Sequence, residues 1–410
     1  MAESGVRSTV TTDSNAKLLR SLLPVLIIIS MIGPLALNII MPSMPGLAVA
    51  LGASRSEVQL TLSLFLASQA VSQLFIGGLS DRFGRRPVLI ASLALYILAS
   101  LAASFATSIL LLIIARVVQA AGSTAGLTIS RTVVRDLAPR DIAASMIGYV
   151  TSGMVIAPLI APALGGAIDD AFGWRAIFWV CMGLGVVATT MALWKLPETR
   201  PASVVGQTTR DMLQRSCEVI KDRRFLGYSL GASFTSGVFF SFLGAAPYLV
   251  VEALQMPKTT YGIWFICLSG GYMVGNFCSG RFSARLGVDR MITIGSMIGL
   301  VGAIILLGLA LVPVMQPAAL FMPCLITSLG NGFLLPNAIA GAVSVDSKAA
   351  GAASGVVGFM QMGIGAIASY ISGQLTAGSP LPMALMMFAL TIAGWAALEW
   401  GKRARVPVQS

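Results

Sequence analysis

Uncharged, apolar runs of about twenty residues recur along nearly the whole of this 410-residue chain, divided by short polar turns. A helix needs about 20 apolar residues to cross the hydrocarbon of a bilayer. Lipid offers the backbone no water, so each crossing must close its own hydrogen bonds, as a helix does. The pattern predicts an all-α membrane protein with twelve transmembrane helices. The expected spans are 20–42, 58–79, 87–107, 109–130, 142–168 and 174–195, then 225–250, 260–280, 291–313, 317–340, 350–376 and 380–400. Composition agrees: 10% of the residues are charged, against roughly 25% in soluble domains.

One long polar interval, 196–224, divides the spans into six and six. The expected organisation is a disordered cytoplasmic tail at 1–19, a six-helix half at 20–195, a cytoplasmic linker at 196–224, a second half at 225–400 and a cytoplasmic tail at 401–410. Basic residues set orientation in membranes. With the N-terminus inside, 23 of the 27 Lys and Arg fall on the inner side. Only Arg55, Arg175 and Lys258 fall outside, and Arg116 alone lies within a span. Both termini are therefore expected in the cytoplasm. The net charge of +11 is read as an orientation signal rather than a nucleic-acid face, since the charges never form one continuous surface.

Histidine is absent, which removes His-based triads, His metal sites and the commonest near-neutral proton carrier. The five cysteines show no paired metal spacing. No catalytic constellation, metal site or cofactor is expected, and the chain reads as a non-enzyme.

The two halves echo each other. The turn after span 2 reads GGLSDRFGRRP, with Gly77, Asp81, Arg82, Gly84, Arg85 and Arg86; the turn after span 8 reads GRFSARLGVDR, with Ala284 where the first copy has Asp. Gly148, Tyr149 and Gly153 of span 5 recur as Gly358, Phe359 and Gly363 of span 11, and Asp136 matches Asp346 at the same offset. Such echoes indicate parallel repeats about an axis along the membrane normal.

The first turn motif resembles the signature of the major facilitator superfamily. RVVQAAG (Arg116, Gln119, Gly122) resembles that family's span-4 motif. GYVTSGMVIAPLIAPALGG resembles its span-5 antiporter motif, keeping Gly148, Pro162, Gly165 and Gly166 but carrying Ala157 and Ala161 where glycines are usual. IAPLIAPALGG, FSFLGAAPYLVVE and PNAIA are similar to the bicyclomycin/chloramphenicol-resistance (Bcr/CflA) group of drug efflux proteins.

The resemblance implies the twelve-helix, two-half fold and alternating access. It implies efflux of small hydrophobic or amphiphilic compounds across a bacterial cytoplasmic (inner) membrane, with protons as coupling ion and a functional monomer. The alternative is a transporter of one small metabolite or organic anion, anchored by Arg116 and not necessarily proton-coupled. In the turn motif, Asp81 would contact the N-terminus of span 11 and tie the halves together on the inside. Arg85 or Arg86 could pair with Asp136. Pro158 and Pro162 each remove a backbone donor and predict a bent span 5.

A lone guanidinium inside a span costs at least ~2.5–3.5 kcal/mol, and none of the sixteen acids falls in a hydrophobic core. The expectation is that Arg116 faces a water-filled cavity, bonded to neutral acceptors such as Asn38 or awaiting substrate. Relatives usually carry a carboxylate near position 38. The resemblance places the cavity among spans 1, 4, 7 and 10, exposing Asn38, Arg116, Gln119, Phe239, Phe242, Asn331 and Asn337.

Overall fold

The computed structural model describes residues 2–138, 140–200, 216–312, 316–345, 350–376 and 378–403. Twelve long helices follow in order. They are α1 Ala2–Ile39, α2 Arg55–Phe83, α3 Arg85–Ser104, α4 Ile109–Leu137, α5 Arg140–Phe172 and α6 Trp174–Lys195. The second set is α7 Arg223–Tyr248, α8 Lys258–Leu286, α9 Val288–Ala310, α10 Pro317–Ser344, α11 Ala350–Leu375 and α12 Leu381–Lys402. Among the described residues there is no strand.

Among the described residues, eleven helices are long and apolar enough to cross a membrane. The exception is α8, which has the length but whose hydropathy is diluted by Gly262, Gly270, Gly271, Gly275 and Asn276. The chain ahead of the first span is helical from Ala2, where a disordered tail was expected; after Gly5 no helix breaker occurs until Pro24. Large apolar side chains such as Leu98, Met297, Ile367 and Phe277 lie exposed on the outer surfaces of the bundle. Faces of that kind would drive aggregation in water and suit lipid.

Packing repeats between the halves. Contacts of α1 with α5, α2 with α4, α3 with α4 and α3 with α6 recur as α7 with α11, α8 with α10, α9 with α10 and α9 with α12. Two exchanged pairs join the halves, α2 against α11 and α5 against α8. The repeated turns share one backbone shape: Gly84 has φ 103° and ψ 152°, and Gly287 has φ 84° and ψ 155°. L side chains rarely adopt that region, which is why both copies keep glycine.

Contacts between the halves concentrate at the end opposite the basic loops. Ser56 donates to Gln374 (2.8 Å), Gln59 to the carbonyl of Gly244, and Ser63 meets Ser369 at 3.3 Å. A short segment after α1, Met41–Ala50, lies across this end with Met41, Met44 and Leu47 buried. At the basic end, the side-chain hydrogen bonds and ion pairs among the described residues stay within one half, as in Tyr228 to Asp289 at 2.7 Å. Among the described residues, the hydrogen bonds and ion pairs that join the two halves lie toward the end opposite the basic loops.

Candidate functional site

At the basic end, Ser80 and Gly84 bring the start of α3 back beside the end of α2. The Arg85 side chain is 4% exposed and lies between two carboxylates, bonded to Asp81 and to Asp136 at 3.2 Å. Arg86 turns elsewhere and donates to the carbonyl of Leu193 at 2.9 Å. Arg82 stacks on Phe83, and Ser80 donates to the carbonyl of Gly77. Among the described residues, Asp81 pairs with Arg85 of its own half; the residues just ahead of α11 lie outside the described ones. Asp346 lies outside the described residues.

A residue the sequence reading passed over completes this turn. Glu198, just beyond α6, accepts from the backbone N–H groups of Arg85 (2.9 Å), Arg86 (3.2 Å), Thr199 (3.1 Å) and Arg200 (3.0 Å). Burial pushes its carboxyl up, but these four donors together hold it below the usual value. Two of the donors are free N–H groups at the first turn of α3, where a carboxylate is favoured. Arg200 returns the grip, donating to the carbonyls of Asp81 (3.3 Å) and Arg82 (2.6 Å). The signal available in the sequence was a carboxylate three residues after the end of a span.

Arg116 does not face a cavity in this structure. It is 1% exposed, packed inside the first half. Its Nη1 donates to the carbonyl of Ala36 (2.9 Å) and to Oε1 of Gln119 (2.6 Å), and its guanidinium lies 4.0 Å from the Phe65 ring centroid. Gln119 passes the chain on to Ser100 (2.8 Å), which bonds the carbonyl of Tyr96. Hydrogen bonds from a charged donor contribute about 1.5–3 kcal/mol each, and a desolvated cation–π contact about 2 kcal/mol. Together these meet an insertion cost of about 3 kcal/mol without any carboxylate. Two nitrogens of the group, Nε and Nη2, have no partner. Asn38 is equally buried but bonds its own helix at the Pro34 carbonyl (2.7 Å), leaving its Oδ1 unpartnered.

The second-half candidates also turn inward to their own half. Phe242 is fully buried against Phe265 and Phe321, while Phe239 packs edge-on to Phe240 and Phe265. Asn331 lines a void that holds about one water, shared with Thr235, Ser296 and Thr391. Asn337 donates to Ser279 (2.7 Å) and accepts from Ser283 (2.9 Å), stitching α10 to α8. The expected cluster of seven is thus split into Arg116 with Gln119, Asn38 on its own helix, and three separate packing sites in the second half.

Span 5 behaves otherwise. α5 runs through Pro158 and Pro162 as one helix, with Pro162 buried and Gly148 facing open space. Gly165 packs on the Ile39 carbonyl of α1, and Gly166 on the backbone of Lys258 at the start of α8. The carbonyl of Pro162 lies 2.6 Å from where a Cβ on Gly262 would sit. The end of span 5 is therefore part of the seam between the halves. Around it, Lys258 pairs with Asp169 at 2.9 Å and Arg55 stacks on the Tyr248 ring at 3.9 Å. Deeper, Arg131 donates to Thr151 (3.3 Å).

Two halves built as repeats, sealed at one end and lined by apolar helices, make a membrane transporter of the alternating-access kind. Among the described residues no group of His, Cys, Asp or Glu could hold a metal. The major facilitator superfamily profile matches residues 26–370, and the chain belongs to that family. It is 27% identical over 367 residues to a bicyclomycin resistance protein homolog of Haemophilus influenzae, covering 89% of this chain and 92% of that protein. It is 28% identical over 368 residues to multidrug resistance protein MdtL of Escherichia coli O127:H6, covering 87% and 92%. The xylose transporter XylE of E. coli, in a partially occluded inward-open conformation, superposes with a TM-score of 0.74 at 11% identity, covering 96% of this chain and 99% of that one.

Proposed function

We propose that this transporter exports small amphiphilic toxic compounds from a bacterial cell, residing in the inner membrane with its basic end in the cytoplasm and driven by inward proton flow. The observation that carries transport is the pair of repeated halves, bonded to each other toward the end opposite the basic loops. Orientation rests on the basic loops, and that orientation puts the bonded end of the two halves on the outer side. The drug-efflux reading is supported by the resistance proteins among the relatives and by an interior of aliphatic and aromatic residues, which suits apolar ligands.

Substrate charge follows from the core. Arg116 lies in it without a carboxylate partner, and Asn38 stands where relatives usually have an acid, so permanent cations find no counter-charge there. Neutral compounds should be preferred. A second reading, transport of one organic anion, draws on the two unpartnered nitrogens of Arg116; it requires that the group be uncovered in another state.

Expression in an efflux-deficient bacterial host separates the readings. The expected result is raised resistance to chloramphenicol or bicyclomycin and little change toward the permanent cation ethidium. Unchanged susceptibility to a broad panel, with the protein present in the membrane, would count against drug export and favour a specific anion.

A further inference from the structure

We infer that Asp169 and Lys258 form an ionic latch that holds the outer end shut and sets how much of the protein faces inward. This rests on the orientation proposed above. Asp169 ends α5 in the first half, and its side chain is only 4% exposed; Lys258 opens α8 in the second half and is 25% exposed. Their charged atoms are 2.9 Å apart.

Three neighbouring contacts make the pair a latch rather than an incidental surface bridge. Asp170, the next residue, accepts from both the backbone N–H (3.2 Å) and the hydroxyl (2.5 Å) of Thr259, so two consecutive residues of each half engage. The Lys258 side chain also lies against Gly46 of the segment covering the outer mouth. The backbones beneath already touch, through Gly166 and Lys258 and through Gly262 and Ala163, so the charges meet across a closed seam. Opening outward must separate α5 from α8 and return both charges to water. An exposed pair contributes little, but a carboxylate this buried loses its counter-charge at a considerable cost if only one partner is removed. The latch therefore stabilises one state of the cycle. Two of the three outer cations, Arg55 and Lys258, make contacts between the halves.

The test measures the seam directly. Full-length protein in nanodiscs carries spin labels at Phe172→Cys and Ala253→Cys, exposed outer positions in opposite halves, on a background lacking the five native cysteines. The unaltered latch should give one dominant short distance. Asp169→Asn and Lys258→Gln should each shift the population about tenfold toward a longer one. The exchange Asp169→Lys with Lys258→Asp should restore the short distance, which a purely structural role would not do. If Asp169→Asn does not fold, Lys258→Gln carries the test, because its side chain is partly exposed. Neutralised proteins with the original distribution, or a folded exchange variant that stays long, would overturn the latch. Resistance is scored separately, so a protein that exports nothing yet responds at the outer end overturns the export reading and leaves the latch standing.

Discussion

Replacing Gly262 by leucine should leave the protein in the membrane and stop it transporting. A Cβ at this position would lie 2.4 Å from Cα of Ala163 and 2.6 Å from its nitrogen, both backbone atoms of the opposite half. Backbone within a helix cannot step aside as a flexible side chain can. Overpacking costs about 1–3 kcal/mol for extra methylenes that find some relief, and here little relief exists. The clash occurs only when α5 and α8 close at the outer end, so each half can still fold and insert. Export should fall by more than about tenfold, since 1.4 kcal/mol is a factor of ten. Membrane abundance should hold. Gly308→Leu, at an open position on α9, serves as control and should transport normally. Normal export by Gly262→Leu would mean that the seam never closes this tightly.

Arg85→Ala should produce the largest loss of stability at the inner end. The guanidinium is buried between Asp81 and Asp136, whose side chains are 25% and 11% exposed. Its removal leaves two carboxylates facing each other, and stripping one partner from a buried pair costs about 3–5 kcal/mol. The thermal midpoint in detergent should drop markedly and transport should vanish. Asp81→Asn removes one of those charges and leaves the Arg85–Asp136 pair, so its midpoint should fall far less. Transport by Asp81→Asn should nonetheless be slowed or lost, because the charge serves the state in which the inner ends meet. A well-inserted Asp81→Asn protein with wild-type rates would remove this turn from the switching mechanism.

The spans and their pairing into halves were legible because a period of about twenty apolar residues and a glycine-marked turn survive in one dimension. Even α8, the least apolar helix, was recognisable from its turn motif at Gly280 to Gly287. Azimuth was not legible. A span assignment says which helix carries a residue, and a residue turns by about 100° per position around that helix. Asn331 and Asn337, six apart on α10, point about 120° apart, so both could not line one cavity. Arg116 failed for a related reason. Gln119, three residues on along its own helix, was legible, but the Ala36 carbonyl and the Phe65 ring come from other helices, which no spacing in the sequence announces. The seam offered a better signal that went unread: Ser56, Gln59 and Ser63 recur at helical spacing on α2, and all three meet the opposite half. The outer charges, seen in the sequence only as orientation markers, are also structural partners.

Uptake of radiolabelled chloramphenicol into everted inner-membrane vesicles tests the central claim most directly, because everted vesicles turn export into accumulation. With respiration energising the membrane, vesicles containing the protein should accumulate the compound, control vesicles should not, and a protonophore should collapse the difference. Equal uptake by both kinds of vesicle, or accumulation that survives the protonophore, would contradict proton-driven export.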